Sequence, residues 1–441
     1  MEFARNKYLD RLVSRQGNGL IKVITGARRS GKSYLMNEIF YRYLIQRGVQ
    51  SDHIIRFAFD ADEDIDFLDN YYPNEPTRIK NETNGISVNA KKFRAYIKDH
   101  TNENDVFYLL LDEVQMLENF IGTLNGLLRH SNFDVYVTGS NSRFLSSDIA
   151  TEFKGRGTVI HILPLSFSEY CIGLGMEPQN AWRRYIVSGG IPLVAKMQTE
   201  EEQIEYLTTL CEETYLKDVI LHNGIRKQTE LSETFDVLAS VIGTPVNILK
   251  LVRTFKSTAK KDITDDTIAK FIDYLEAAFV ISKVRRYNIK GRKYISSPFK
   301  LYFEDVGVRN ARLGFRQIEE THIMENIIYN ELRYRGYTVD VGELNINEKT
   351  DRTDINGKAI YKNISLEVDF IAVKGSQKYY IQSALSMESQ SKQQQEKRSL
   401  YYIDDSFKKI IVTKNGLDVF RDEKGVEVID LFDFLLHSPL E

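Results

Sequence analysis

The stretch Val23–Leu35 reads VITGARRSGKSYL. Gly26, Gly31, Lys32 and Ser33 fit the pattern G-x-x-x-x-G-K-[ST], in which a glycine loop joins a strand to a helix. The flanks supply that context: LIKVITG is a run of the buried-strand type, and KSYLMNEIFYRYLIQ has helical periodicity. Such a loop binds anions. Its glycines let successive N–H groups turn inward, and the following helix adds the positive end of its dipole. Lys32 is expected to reach the β- and γ-phosphates of ATP, and Ser33 to hold Mg2+. The expected nucleotide contacts are Gly26, Ala27, Arg28, Arg29, Ser30, Gly31, Lys32, Ser33 and Tyr34. The nest does not need Arg28 and Arg29. At least one of them is expected to pair with an acid of the helical segment over 166–225, the C-terminal half or a neighbouring copy.

The second half of such an engine is an apolar strand ending in acid. DVFYLLLDEVQML supplies Asp112 and Glu113. An aspartate there can hold Mg2+, and the adjacent glutamate can orient and deprotonate the attacking water. Further strands are expected in IIRFAFD (54–60), FDVYVTGSN (133–141) and TVIHILPL (158–165). Five strands separated by helical segments imply an α/β fold with a doubly wound parallel sheet, its ligand at the carboxyl ends. Ser140 and Asn141 end the fourth strand, within reach of the γ-phosphate or the attacking water.

The chain has 441 residues, 42% of them hydrophobic and 27% charged, a composition suited to two to four folded domains. Its formal charge of −3 gives no global attraction to nucleic acid, so any such contact needs a local patch. No apolar run has the length of a membrane span, and MEFARNKYLD lacks a signal-peptide core. A cytoplasmic protein with no membrane partner is expected. Cys171 and Cys211 form neither a disulfide framework nor a zinc site. QSKQQQEKR (390–398) reads as an exposed helix face.

The span 8–192 resembles an AAA+ ATPase of the bacterial and archaeal branch whose loop reads G-x-R-R-[ST]-G-K-[ST]. It shares TGSNS (138–142), Gly155-Arg156 and PLSFSEY (164–170) with that branch. The resemblance implies that Asn141 or Ser140 is the sensor position. It makes Arg156 the arginine finger, given to a neighbour or acting in cis. It implies a homo-oligomer, and it sets Pro192 of GGIP against adenine. The ATPase core is expected over 1–165 and a helical lid over 166–225.

Three helical segments and a hairpin around Asn288–Gly291 resemble a winged helix, expected over 226–308. The hairpin gathers Lys283, Arg285, Arg286, Lys290, Arg292 and Lys293, with Tyr287 and Tyr294 between them. Such a cluster can grip DNA phosphates; a solvated wing or a protein contact is the other reading. Residues 309–441 resemble a PD-(D/E)xK nuclease core, with Glu325 at its helix acid and Asp369 at its strand aspartate. The Glu-x-Lys position reads Gln382-Ser383-Ala384. An amide is a poorer Mg2+ ligand than a carboxylate, and alanine cannot polarise water. A degenerate module without cleavage is therefore expected, unless Lys378 or Lys397 has taken over the lysine role. The leading functional expectation is an ATP-hydrolysing, DNA-associated protein. The alternative is a nucleotide-gated switch acting on protein.

Overall fold

A computed structural model describes residues 2–80, 85–139, 153, 155–258, 263–353, 359–415, 420–437 and 440. The chain divides into two compact units. One is Met1–Pro164 with Leu221–Gly224 and Ala277–Phe279; the other is Leu165–Ile220 with Ile225–Glu276 and Val280–Glu441.

In the first unit, β1 (Ile21–Thr25), β2 (Ile54–Ala58), β5 (Phe107–Asp112), β6 (Phe133–Thr138) and β7 (Gly157–His161) form a parallel sheet in the order β2-β5-β6-β1-β7. Strands β3 (Arg78–Lys80) and β4 (Ile86–Val88) make a separate antiparallel pair. The α/β fold with a doubly wound parallel sheet, expected from the sequence, is the observed one. Every residue of β1 is buried, because parallel strands are covered on both faces. That is why these strands read as unbroken apolar runs. Lys22 is the exception in β1. Its ammonium pairs with Asp134, which also accepts from the Tyr136 hydroxyl at 3.0 Å and the Gly17 N–H at 3.1 Å. The buried charge is thereby compensated. The helices here are α1 (Asn6–Val13), α2 (Lys32–Tyr34), α3 (Tyr41–Gln46), α4 (Asp62–Phe67), α5 (Ala90–Asp99) and α6 (Phe120–Leu127). Between α2 and α3 the chain keeps winding as a π-helical stretch, Leu35–Phe40.

The second unit begins with α7 (Phe167–Leu174), α8 (Pro178–Ser188), α9 (Pro192–Lys196) and α10 (Glu200–Thr209). Ser166 and Glu169 of PLSFSEY start α7 with a reciprocal capping box. The helix α10 runs through a π-helical stretch, Leu210–Leu216, into α11 (Lys217–Asn223). Next come α12 (Gln228–Ser240), α13 (Ile248–Thr258) and α14 (Asp265–Ala277). Thr264 caps α14, and Ile268, Phe271, Ile272 and Leu275 line its buried face, as the periodicity predicts.

A mixed eight-stranded sheet follows: β8 (Ile281–Asn288), β9 (Lys293–Phe303), β10 (Thr338–Thr353), β11 (Ala359–Lys374), β12 (Gln377–Ser386), β13 (Lys408–Asn415), β14 (Phe420–Arg421) and β15 (Val426–Asp430). Their order is β14-β15-β13-β12-β11-β10-β8-β9. With it go α15 (Val306–Arg312), α16 (Glu320–Tyr334), α17 (Gln390–Tyr401) and α18 (Leu431–His437). The hairpin expected as a free wing differs here. Strand β8 pairs in parallel with β10, Val341 opposite Arg286 and Glu343 opposite Asn288. The hairpin is therefore the edge of the C-terminal sheet, and that sheet runs across the boundary expected at 308. The reason is its length: β9 continues to Phe303, well past what a turn-forming wing requires, and its last residues are apolar and buried. Helix α17 also differs from the exposed face expected of it. It packs on β11 and β12 and buries Glu396, Lys397, Ser399 and Leu400. No described helix is long and apolar enough to cross a membrane.

Candidate functional site

The loop leaves β1 at its carboxyl end. Gly26 holds φ +147°, and a Cβ there would collide with the Ile162 carbonyl oxygen; a side chain is excluded by contact as well as by conformation. Arg29 and Gly31 are left-handed, φ 68° and 95°. These residues bend the backbone inward, and side chains 28 and 29 stay exposed. Lys32 is 5% exposed, and its ammonium donates to the carbonyls of Gly26 at 3.1 Å and Ala27 at 3.0 Å. The Ser30 hydroxyl is buried and has no hydrogen-bond partner among the described residues. A lysine folded onto its own loop beside that hydroxyl fits a phosphate, whose oxygens would accept from both. Tyr34 is exposed, and its hydroxyl donates to Glu2 at 2.9 Å.

Strand β5 ends beside this loop. Asp112 is buried and accepts from the Thr138 hydroxyl, from Asn37 at 3.3 Å and from Ser33. Burial pushes its carboxyl above the usual range, against the pull of those donors. Ser33 and Asp112 thus meet where sequence reasoning set the Mg2+ pair. Among the described residues no three acidic, histidine or cysteine side chains are grouped for a metal. Glu113 sits in a left-handed conformation, φ 50°, of the strained kind that surrounding contacts must enforce. Its N–H donates to the Thr138 hydroxyl at 3.2 Å, and Gln115 donates to its carboxylate.

Sequence reasoning missed three groups here. Thr138 closes β6 and links Asp112 to the Glu113 backbone. Asn37 reaches Asp112 from the π-helical stretch. Asp60 follows β2, whose last residue, Ala58, is paired with Asp112. Desolvation of its inner side, then the negative charge of Glu113, hold the Asp60 carboxyl above its ordinary range; Arg28 pulls it down. One acid that feels Arg28 therefore lies at the carboxyl end of its own sheet, a neighbour that the sequence did not suggest. The register of β2 against β5 brings Asp60 to this site.

Arg156 precedes β7, and its carbonyl accepts from Ile21 N–H at 2.9 Å. It thus lies level with the amino end of β1, about 16 Å of strand from the loop. Its guanidinium is exposed and touches Asn125 of α6 at 3.4 Å. Ser140 and Asn141 lie outside the described residues. Pro192 belongs to the second unit, as the first residue of α9.

In the second unit the basic hairpin is only partly free. Arg286 pairs with Glu343 at 3.0 Å, both nearly buried, and Lys283 lies 4.0 Å from Asp273. Arg285 stacks over Tyr294 at 4.3 Å. Lys290, Arg292 and Lys293 at the turn are exposed. The six cations expected to act as one patch divide into a structural part and an exposed tip.

Glu325 of α16 and Asp369 of β11 are buried, not surface acids. Between them sits the ammonium of Lys300 from β9. It lies 2.8 Å from Glu325, 2.7 Å from Glu367 and 3.5 Å from Asp369. The Tyr302 hydroxyl donates to Glu325 at 2.6 Å, and Ser383 N–H to Asp369 at 2.9 Å. Gln382 accepts from Asp369 N–H and donates to Glu396, each at 3.4 Å. Burial, then the Glu325 charge, raise the Asp369 carboxyl. Neither lysine considered from sequence enters: Lys378 pairs with Asp405 at 3.7 Å and Lys397 with Asp422 at 3.1 Å.

Comparison with known proteins agrees with the first unit. The AAA domain family matches residues 18–171, and a domain of unknown function matches residues 179–319. An uncharacterized protein of Haemophilus influenzae is 30% identical over 440 residues, covering 98% of each chain. One from Methanocaldococcus jannaschii is 27% identical over 352 residues, 76% of this chain and 71% of the relative. Among solved structures, the Aeropyrum pernix ORC2 protein is 14% identical, covers 64% of this chain and 85% of its own, and superposes with a TM-score of 0.34. That likeness is too loose to carry a functional argument. The loop, the acidic strand end and the full-length match together mean that the chain belongs to the family of the Haemophilus influenzae protein, built on an AAA+ P-loop ATPase domain.

Proposed function

We propose that this chain binds ATP at Gly26–Tyr34 and hydrolyses it, using the nucleotide state to control what its C-terminal half engages. The observation that carries the reading is the convergence of Lys32, Ser33, Asp112 and Glu113 where the glycine loop meets the carboxyl end of β5. Lys32 exchanges its two carbonyl contacts for phosphate oxygens, so binding costs no new burial of its charge. Ser33 and Asp112 would hold Mg2+, which when bound neutralises charge on the phosphates. Glu113, fixed by Gln115 and Thr138, accepts the proton of the attacking water. The burial of Asp112 keeps bulk water from that side of the site. Arg156 stands at the opposite edge from its own loop, which supports donation to a neighbouring copy rather than action in cis, and hence a homo-oligomer.

The DNA reading now rests on Arg285 and on Lys290, Arg292 and Lys293 at the hairpin tip. The burial of Arg286 against Glu343 favours the second reading, in which this edge serves a protein contact. The degenerate nuclease centre adds no cleavage to either.

The test is Glu113→Gln beside Lys32→Ala. Glu113→Gln retains ATP binding and loses turnover by about 100-fold or more, the scale of a lost general base. Lys32→Ala loses binding as well, because each charge-assisted contact is worth about 1.5–3 kcal/mol. Turnover at the wild-type rate in either variant would refute the assignment.

A further inference from the structure

We infer that Lys300 is a resident cation: its ammonium occupies the position a divalent metal would need in order to use Glu325, Glu367 and Asp369, and it makes this centre a metal-independent charge lock.

Three carboxylates from α16 and β11 converge on one point, and the point is filled. Lys300 is 2% exposed, and all three acids lie within 3.5 Å of its nitrogen. An acid cluster in a protein interior needs a counter-charge, supplied either by a bound ion or by a side chain. Here it comes from β9, a strand separated from β11 by β8 and β10 in the sheet order. Three strand spacings are about 14 Å in a flat sheet, so the lysine closes its contacts across a twisted one. A tethered ammonium holds its place at a high effective concentration that a free cation must overcome. The surroundings are built for this occupant. Tyr302, two residues along β9, points the same way and donates to Glu325. Ser383 N–H takes a second lone pair on Asp369, and the Gln382 amide fills the next position without adding charge. Among the described residues no three acidic, histidine or cysteine side chains are grouped for a metal as they stand. They are gathered around an ammonium instead.

The lysine also decides what the centre can do. A buried ammonium salt-bridged to three acids has no free pair of electrons and no path to a phosphodiester. The centre joins β9, α16 and β11 mechanically. Lys300 offsets part of the charge of the three carboxylates, and burial together with Glu325 favours the protonated form of Asp369.

The experiment titrates Mn2+ into the full-length, nucleotide-free chain. Wild type and Asp369→Asn are expected to give the same weak isotherm. Lys300→Ala is expected to gain one additional Mn2+ site, absent from Lys300→Ala/Glu325→Gln/Asp369→Asn. Its melting midpoint should rise by about 5 °C in Mn2+ at a hundredfold excess over the dissociation constant, while wild type stays within 1 °C of its own midpoint, by about the linkage expected for one site. Mn2+ binding to wild type that is lost in Asp369→Asn overturns the inference, and that comparison holds even where Lys300→Ala fails to fold. So does Mg2+-dependent DNA cleavage by wild type that Lys300→Ala abolishes. A folded Lys300→Ala that gains no Mn2+ site overturns it as well.

Discussion

Replacing Asp305 by Asn tests a buried carboxylate that ties two loops of the second unit together. Asp305 is buried at the start of α15 and accepts from Val308 N–H at 3.0 Å and Gly190 N–H at 2.7 Å. Gly189, at φ +70°, lies so close that a Cβ would collide with this carboxylate, and a Cβ on Gly307 would collide with the Ser188 carbonyl. Asn310 adds bonds to the carbonyls of Ile186 at 2.8 Å and Val187 at 2.9 Å, closing the end of α8. The residues of EDVGVRNA (304–311) thus grip the GGIP turn. Burial lifts the Asp305 carboxyl from 3.8 to about 6, against the pull of those N–H donors. The native state therefore holds a proton that the unfolded chain releases across that window. Stability falls as pH rises from about 4 to about 6, and levels off above it, by about 3 kcal/mol in total, since each pH unit of displacement is worth about 1.36 kcal/mol. Asparagine carries no such proton. The wild-type minus Asp305→Asn difference in unfolding free energy should decline by about 2 kcal/mol from pH 4 to pH 7, the remainder of the change lying below pH 4. Taking the difference removes the other titrating groups. Trp182, the single tryptophan, lies in α8 of the same unit and reports urea unfolding by fluorescence. A difference that is flat or rising over this window would falsify the account.

Arg156→Ala is expected to fold and bind ATP normally and to lose turnover by about 10³-fold, the scale of a lost arginine finger. Mixing it with Lys32→Ala should restore part of the activity if the arginine is donated between copies; mixtures that stay inactive refute donation. For the hairpin tip, Lys290→Ala/Arg292→Ala/Lys293→Ala is expected to reduce the salt slope of DNA binding by about 3. An unchanged slope, or no DNA affinity in the wild type at low salt, favours the protein-directed reading.

The loop and the acidic strand end were readable because each is contiguous. Gly26 to Ser33 is one local pattern, and Asp112-Glu113 closes one apolar run, so no knowledge of pairing was needed. Asp60, Thr138 and Asn37 were not, because three separate elements bring them to Asp112: the end of β2, the end of β6 and the π-helical stretch after the loop. Arg28 illustrates the same limit: its charge was legible and its partner was not. In the C-terminal half the acids at 325 and 369 could be found by resemblance. Lys300 could not, since it comes from a strand ascribed to another segment. The split of the hairpin's cations into paired and exposed ones likewise depends on Glu343, which β10 delivers opposite Asn288.

The sharing of one sheet across residue 308 bears on how this protein can be recombined. A piece beginning at 309 would carry Glu325, Glu367 and Asp369 without Lys300, and would expose the β10 edge that β8 covers. A piece ending at 308 would leave β8 and β9 without their sheet. Neither half is a cassette that can be exchanged among proteins. Insertions and fusions are better borne in the turn at Gly375, where a Cβ meets nothing within 4 Å, than at the seam the sequence suggests, because the strands from Ile281 onward share one sheet.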